Sequence, residues 1–331
     1  MDYRQLGQTD MRVSAIGVGG YPFGPPLLGQ AECTAVVNAA IEHGINFFDT
    51  SDVYGQGQSE DLLGVALQGK RDSIYLSTKF NLRNLNGQTP RQRILARAEE
   101  ALRKLKTNHI DLFQVHYASP EVPHEELLGP LNDLVTQGKV RYIGNCNTSA
   151  WRTLEEFGGS ERNGWARFQS TQNHYSLLYR HAELELLPFC HKYQFSLIAY
   201  FPLGGGWLTG TYRPGQPPPP GSRADKVPTG IVTRLRSERV DRLVPRLEAF
   251  AGEHGHTVVE LAIAWVLSHP EVGVALTGFD RPEHVAANVP GADWKLTPEE
   301  RAELDDITSL WSGIDAATES FGGPAARPNV R

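Results

Sequence analysis

The chain has 331 residues, of which 40% are hydrophobic and 21% charged, and its formal net charge at pH 7 is −6. This composition is typical of a soluble globular protein with a large core, and a negative charge without a block of Lys or Arg argues against a nucleic-acid-binding surface. The polar start and the lack of a long apolar run argue against a signal peptide and a membrane span, and three cysteines without CxxC spacing favour a reducing compartment. We therefore expect a cytoplasmic protein without membrane or nucleic-acid partners.

The hydrophobic pattern alternates between strand-like and helix-like segments. A short hairpin over residues 3–14 is followed by apolar runs that end abruptly at polar residues, which is the pattern of buried strands. The predicted strands are 15–19, 45–49, 74–78, 110–115, 140–143, 168–172, 196–200 and 272–277. Apolar residues at helical spacing predict helices around 33–41, 94–105, 127–135, 236–254, 257–269, 282–289 and 298–307.

Eight strands alternating with helices favour an α/β fold of the closed (β/α)8 kind, a TIM barrel, over an open doubly wound sheet. We expect a single domain covering 1–331, with the hairpin closing the bottom of the barrel. Residues 204–230, after strand 7, contain GGG and four consecutive prolines, and we predict a long irregular loop there on the active face. The segment 312–331 lacks periodicity and is predicted to be a loosely ordered tail.

Three consecutive predicted strands deliver chemically active side chains at their ends. GINFFDTSDVYG presents Asp49 and Tyr54, IYLSTKF presents Lys79, and IDLFQVHY presents His116. Each residue alone has an ordinary structural interpretation, as a cap, a surface aromatic, a solvated charge or a core histidine. Because the ends of parallel strands lie on one rim, where such folds place their chemistry, the four together indicate a catalytic site.

This set, in this order, resembles the catalytic tetrad of the aldo-keto reductases, and the likeness, which extends to the bacterial enzymes and the potassium-channel β-subunits, runs over nearly the whole chain. The resemblance implies reduction of an aldehyde, ketone or aldose, or the reverse reaction, with Tyr54 as the proton donor. A free tyrosine holds its proton too tightly at neutral pH, and a neighbouring ammonium lowers its pKa. Lys79 can supply that charge, Asp49 would hold Lys79, and His116 could orient the carbonyl or help to relay the proton.

The resemblance also implies a nicotinamide dinucleotide, NADP(H) or NAD(H), lying across the mouth of the barrel. In VRYIGNCN, Cys146 replaces the family's usual serine beside Asn147 in the pair that holds the carboxamide, and Phe201 replaces another serine near the phosphates. Tyr200 fits the aromatic that stacks on the nicotinamide. The positions assigned to the cofactor are Gly20, Tyr21, Cys146, Asn147, Gln172, Tyr200, Phe201, Leu203, Gly204, Gly278, Asp280, His284 and Asn288.

The preference between the two dinucleotides stays open at this stage. Many relatives carry an arginine where this chain has Asp280, and a carboxylate there would repel the 2′-phosphate of NADP or accept from the ribose hydroxyls of NAD. Arg281 is adjacent, and His284 occupies another family contact position. The usual preference of the family keeps NADP(H) slightly ahead.

Phe23, Tyr117 and Trp207, with Tyr21, are predicted to line the mouth and to contact an aromatic or sugar-like substrate, with plain loop packing as the alternative. No cluster of histidines and cysteines has metal-binding spacing, so no metal is expected. The competing functions are a cofactor-binding regulatory subunit with little turnover, and a barrel hydrolase or lyase, which would leave the nicotinamide segments unexplained.

Overall fold

The computed structural model describes residues 1–83 and 85–308, so the tail predicted at 312–331 lies outside the described residues. Eight parallel strands form a closed barrel in which the last strand pairs with both the first and the seventh. In chain order they are β3 (Ile16–Gly19), β4 (Phe47–Asp49), β5 (Tyr75–Asn81), β6 (Ile110–Tyr117), β7 (Val140–Cys146), β8 (Phe168–His174), β9 (Ser196–Tyr200) and β10 (Val272–Thr277). The predicted (β/α)8 barrel is confirmed.

The chain begins with an antiparallel hairpin of β1 (Tyr3–Gln5) and β2 (Arg12–Ser14). Its turn contacts the first residues of the barrel strands, as when the Gly7 N–H donates to Ser196 Oγ at 2.7 Å. Leu6 and Met11 pack beneath the barrel on inward-facing side chains such as Phe47. The hairpin therefore closes the amino-terminal end of the barrel, as predicted, and leaves the opposite rim open.

Helices surround the barrel and cover the outward faces of its strands. They are α1 (Gln30–Glu42), α2 (Ser59–Ala66), α3 (Pro90–Lys104), α4 (His124–Thr136), α5 (Ala150–Asn163), α6 (Leu186–Tyr193), α7 (Arg223–Lys226), α8 (Ile231–Arg234), α9 (Glu238–Glu253), α10 (Val258–Leu267), α11 (Pro282–Asn288) and α12 (Pro298–Thr308). Local sequence signals set several starts: Thr89 caps α3 and Thr257 caps α10, each accepting a backbone N–H at 3.2 Å. No helix among the described residues is long and apolar enough to cross a membrane.

The segment 204–230 differs from the prediction that it holds no regular structure. It opens with a 3₁₀ helix, Gly204–Thr209, and contains α7. Gly205 and Gly206 have φ values of 67° and 118°, which interrupt the turn, while Trp207 is buried and its indole N–H donates to the Val232 carbonyl at 2.8 Å. A buried tryptophan therefore anchors a glycine-rich segment that the sequence pattern alone presents as irregular.

Candidate active site

The four predicted catalytic residues meet at the open rim of the barrel. Asp49 is the last residue of β4, Lys79 lies in the second half of β5, and His116 is the penultimate residue of β6. Tyr54 follows β4 in a 3₁₀ turn, Tyr54–Gly57. Because the three strands are parallel neighbours, their carboxyl ends bring these side chains to one place.

The turn that carries Tyr54 depends on Gly55. This residue has φ +55°, and a Cβ atom built on it would lie 2.1 Å from the carbonyl oxygen of Phe23. Only glycine satisfies both the left-handed conformation and the close approach of the two backbones. The contact fixes the position of the turn and so of the phenol that precedes it.

Lys79 lies at the centre of the cluster and is fully buried. Its ammonium forms an ion pair with Asp49, donates to the Thr50 carbonyl at 2.9 Å and donates to the Tyr54 hydroxyl at 3.3 Å. A lysine removed from water needs such partners to stay charged. The arrangement delivers one fixed positive charge to the oxygen of Tyr54.

The other carboxylate oxygen of Asp49, Oδ1, accepts three side-chain hydrogen bonds. Ser77 Oγ donates at 2.9 Å, Gln114 Nε2 at 3.0 Å and Gln172 Nε2 at 3.1 Å. Ser77 and Gln114 were not among the predicted site residues. A signal existed, because each lies two residues before a tetrad residue on its strand, and residues two apart face the same side.

Lys79 and Tyr54 share a hydrogen bond, and burial and nearby charge shift the pKa of each in opposite directions. For Lys79, burial disfavours the charged form, but the charge and hydrogen bond of Asp49, together with Tyr54 and Cys146, outweigh burial and raise the pKa above its usual value. For Tyr54, burial raises the pKa, and the charge of Lys79 opposes that rise. Lys79 therefore acts on the phenol in the predicted direction, although burial leaves the pKa of Tyr54 above that of a free tyrosine.

His116 faces the cavity beside Tyr54. Its ring stacks on Tyr117 with centroids 4.4 Å apart and meets Tyr54 edge-on at 5.8 Å. Burial lowers the pKa of His116 to about 2, and the nearby charges of Lys79 and Arg83 act in the same direction. The imidazole is therefore neutral at any physiological pH.

A cavity of about 1500 Å³ begins at the tetrad and runs along the rim. Pockets for small molecules usually occupy about 300–1,000 Å³, so this one has room for more than a small substrate. The residues assigned to the cofactor that line it are Tyr21, Cys146, Asn147, Gln172, Tyr200, Phe201, Leu203, Gly278, Asp280, His284 and Asn288. Tyr117, assigned to the substrate, lines it as well.

Four assigned residues are not part of the cavity wall: Gly20, Gly204, Phe23 and Trp207. Gly20 is buried, and its backbone N–H donates to the Asp49 carbonyl at 2.6 Å. The structure does not support the substrate contacts expected of Phe23 and Trp207, which are 0% and 4% exposed and pack in the core. Their large apolar surfaces are removed from water, and this corrects the expectation that they line the mouth.

The middle of the cavity is built around Asn147, which has φ +56°. Its side chain accepts from the Tyr200 hydroxyl at 2.9 Å and donates to the His116 carbonyl at 3.3 Å. Beside it, burial raises the pKa of the Cys146 thiol to about 12, so the sulfur is a neutral thiol. His174, which sequence reasoning missed, stacks on Tyr200 with centroids 5.5 Å apart.

The far end of the cavity carries opposite charges from two distant segments. Arg223, at the start of α7, forms an ion pair with Asp280, which follows β10. The Arg223 Nε atom is buried and has no hydrogen-bond partner within residues 1–83 and 85–308. Lys226 and Arg281 also line this end. An unpartnered guanidinium nitrogen among further cations fits a group that carries phosphates.

No three histidine, cysteine, aspartate or glutamate side chains in the described part of the chain are grouped as metal ligands would be. The site combines a buried ion pair, a phenol and a neutral imidazole, with a long groove beside them. Such an arrangement can protonate or deprotonate a small molecule next to an extended, phosphate-bearing ligand.

Comparison with known proteins places these features in context. The family model described as "Aldo/keto reductase family" matches residues 15–309. Versiconal hemiacetal acetate reductase of Aspergillus parasiticus is 31% identical over 92% of this chain and 96% of its own length. Aldo-keto reductase YhdN of Bacillus subtilis is 31% identical over the full length of both chains. A probable voltage-gated potassium channel subunit beta of Arabidopsis thaliana is 29% identical over 97% of this chain and all of its own.

Proposed function

Because this chain belongs to the aldo/keto reductase family, we propose that it is an NAD(P)H-dependent oxidoreductase that interconverts a carbonyl compound and an alcohol. The substrate is a small aldehyde, ketone or aldose, and Tyr54 is the proton donor. The observation that carries this proposal is the 3.3 Å contact between the Tyr54 hydroxyl and an ammonium that a buried carboxylate holds in place.

Side chains of this protein supply the proton that the carbonyl oxygen receives. Tyr54 donates its hydroxyl proton to the carbonyl oxygen as the alcohol forms, and Lys79 stabilises the phenolate that remains. Asp49 keeps Lys79 charged and in place despite its complete burial. A positioned general acid contributes about 10²–10⁴ in rate. The bound dinucleotide supplies the hydride, which no side chain can carry.

The groove beside the tetrad has the residues that such a cofactor needs. Asn147 and Gln172 offer amides to the carboxamide, and Tyr200 offers an aromatic face to the nicotinamide ring. The backbone near Leu203 and the cation of Arg223 are suited to the phosphates. The adenosine end is assigned to Gly278, Asp280, His284 and Asn288. We place NADP(H) slightly ahead of NAD(H).

Two measurements on the purified protein test this proposal. Fluorescence titration with NADPH and with NADH should show saturable binding, and a panel of aldehydes, ketones and aldoses should include compounds that oxidise the bound dinucleotide. Binding with turnover of at least one compound is the expected result. Absence of binding for both dinucleotides would contradict the proposal.

A second candidate, a cofactor-binding regulatory subunit with little turnover, is favoured by one specific observation: the similarity to the plant protein named as a potassium channel subunit beta. Here the dinucleotide would bind, and no carbonyl in the panel would be reduced. The same two measurements therefore separate the candidates. The family assignment gives no support to the third alternative, a barrel hydrolase or lyase.

We also propose that the protein works in the cytoplasm on small molecules. Cys33, Cys146 and Cys190 are all free and buried, which fits a reducing compartment. The net charge of −6 disfavours a nucleic-acid partner. Subcellular fractionation of cells that express the tagged chain should place it in the soluble cytoplasmic fraction, and recovery with the membranes would contradict this placement.

A further inference from the structure

Two arginines line the cavity beside the tetrad, and the proposed reaction uses neither of them. Arg83 follows β5 in the segment that leads to α3, and Arg234 is the last residue of α8. Both side chains are exposed, and both belong to the cavity wall. Among residues 1–83 and 85–308, neither side chain has an ion-pair or hydrogen-bond partner. The N–H groups of both guanidinium groups are therefore free to bind a ligand.

The position of Arg83 is set by the aromatic rings next to Tyr54. The preceding N–H, that of Leu82, donates to the Tyr117 carbonyl at 3.2 Å, and the guanidinium carbon of Arg83 lies 4.0 Å from the centroid of the Tyr117 ring. The same ring stacks on His116 at 4.4 Å, and His116 meets Tyr54 edge-on at 5.8 Å. Because its N–H groups lie in the guanidinium plane, an arginine stacked on a ring can still bind an anion at its edge.

Arg234 reaches the same end of the cavity from the segment after β9. Its neighbours Ile231 and Leu235 pack against Gly205, where a Cβ atom would lie 3.3 Å from Ile231 Cγ1 and 2.7 Å from Leu235 Cδ1. This close packing holds α8 against the glycine-rich turn. Burial raises the pKa of Tyr117, and the charges of Arg83 and Arg234 both oppose that rise. The two guanidinium groups, from distant parts of the chain, therefore lie near one phenol at the tetrad end of the cavity.

The carboxylates on the cavity wall have other partners. Asp49 and Asp280 belong to the ion pairs described above, and Glu185 accepts the Trp151 N–H at 3.2 Å. The chain as a whole carries a charge of −6, so the local positive charge does not reflect a basic composition. Cations without counter-charges in a cavity attract anions, and guanidinium groups bind carboxylates and phosphates through paired hydrogen bonds.

We propose that Arg83 and Arg234 bind a carboxylate or phosphate group of the substrate, so that the protein prefers carbonyl compounds that carry such an anion. This inference rests on the proposed function and names the substrate class of the same site. Tyr54 donates its proton to the carbonyl oxygen at one end of the substrate, while the two guanidinium groups hold the anion at the other end. An uncharged aldehyde lacks this second attachment, which also orients the carbonyl toward the phenol.

The first test compares aldehydes that differ in the anion alone. Succinic semialdehyde and butyraldehyde share a carbon skeleton that ends in a carboxylate or a methyl group, and glyceraldehyde 3-phosphate and glyceraldehyde form the matching phosphate pair. In the wild type, kcat/KM should be higher by about tenfold for the charged member of at least one pair, as expected for hydrogen bonds to an exposed cation. The pair with the larger ratio shows whether the anion is a carboxylate or a phosphate. Equal values within both pairs would overturn the proposal.

The second test removes the two charges. In the double variant Arg83→Gln with Arg234→Gln, the ratio of kcat/KM within the preferred pair should fall by about tenfold, and each single variant should give part of that fall. Added NaCl should lower the ratio in the wild type, because salt screens exposed charges, and should not lower it in the double variant. Arg162→Gln is the matched control, because Arg162 is exposed in the last turn of α5 and does not line the cavity. An unchanged ratio in the double variant, or an equal fall in Arg162→Gln, would overturn the proposal.

Two binding measurements separate this inference from its alternatives. A tenfold weaker NADPH affinity in the double variant, with an unchanged substrate ratio, would assign the arginines to a cofactor phosphate and overturn the proposal. If the wild type reduces none of the four aldehydes, the proposed function fails for these substrates. Isothermal titration calorimetry with succinate then still decides on the anion site: we expect binding to the wild type and to Arg162→Gln but not to the double variant, and equal binding to all three, or none to the wild type, would overturn it. The two failures are therefore distinguishable.

Discussion

The choice between NADP(H) and NAD(H) should depend on Asp280, and the change that tests this is Asp280→Arg. Asp280 forms an ion pair with Arg223, so the carboxylate currently neutralises a cation at the end of the cavity that is assigned to the adenosine. Replacing it with arginine removes that neutralisation and adds a second cation. Both guanidinium groups are then free to bind a 2′-phosphate, which only NADP(H) carries.

The expected size of the effect follows from the exposure of the pair. The Arg223 and Asp280 side chains are 16% and 33% exposed, so solvent weakens their interaction. Hydrogen bonds to charged groups contribute about 1.5–3 kcal/mol, and partial exposure favours the lower end. We expect the ratio of dissociation constants, NADH over NADPH, to rise by about tenfold, equivalent to about 1.4 kcal/mol.

The assay is fluorescence titration of both reduced dinucleotides without a substrate. Glu283→Arg is the matched control, because it makes the same change in net charge nearby, in the first turn of α11, but does not line the cavity. Arg223→Ala should shift the ratio in the opposite direction by a similar factor. An unchanged ratio in Asp280→Arg, or the same change in Glu283→Arg, would refute the placement of Asp280 beside the 2′ position.

Three further predictions concern turnover and stability. Lys79→Met removes the charge beside Tyr54, so turnover in steady-state assays should fall by about 10² or more and the pH profile should shift; an unchanged profile would exclude this role. Gly55→Ala forces a Cβ against the Phe23 carbonyl, whereas in Gly57→Ala, at φ +85°, the new Cβ has its nearest atom at 3.7 Å. Gly55→Ala should therefore lower turnover and the melting temperature more than Gly57→Ala does. Equal losses in the two variants would contradict this prediction. Burial raises the pKa of Glu156 from 4.5 to about 7 against the opposing charge of Arg152, so the folded state binds this proton more tightly and stability falls as pH rises through that window. Between about pH 4.5 and pH 8, the free energy of unfolding of the wild type, measured with urea, should fall by about 3 kcal/mol, at roughly 1.36 kcal/mol per pKa unit. Glu156→Gln should not show this loss. The same dependence of the unfolding free energy on pH in both proteins would contradict the prediction.

The barrel could be predicted because each strand is a short apolar run with a clear polar end. The first and last residues of the strands were less predictable. β5 and β6 continue to Asn81 and Tyr117, beyond the predicted ends, because the parallel ladder does not stop where the side chains become polar. β4 begins later than predicted, and the side chain of Asn46 accepts the Ser14 N–H of the hairpin at 2.7 Å.

The rim residues of the site could also be predicted, since strand ends place them without knowledge of distant contacts. The partners that tune them could not, because they come from far along the chain. Gln172 reaches Asp49 across 123 positions, and Arg223 reaches Asp280 across 57. Phe23 and Trp207 were wrongly predicted to line the cavity, although both are buried. The sequence of a loop near the mouth does not indicate whether an aromatic side chain points outward or into the core.

Tyr54→Phe is the variant that tests whether Tyr54 donates the proton to a carbonyl beside a bound dinucleotide. Single-turnover oxidation of bound NADPH by an aldehyde should be measured on the same preparation as the NADPH dissociation constant. Tyr117→Phe is the matched control, because Tyr117 also lines the cavity and stacks on His116. We expect Tyr54→Phe to lower the single-turnover rate by about 10² or more with an almost unchanged dissociation constant, while Tyr117→Phe keeps most of the rate. A rate within a few-fold of the wild type in Tyr54→Phe would contradict it.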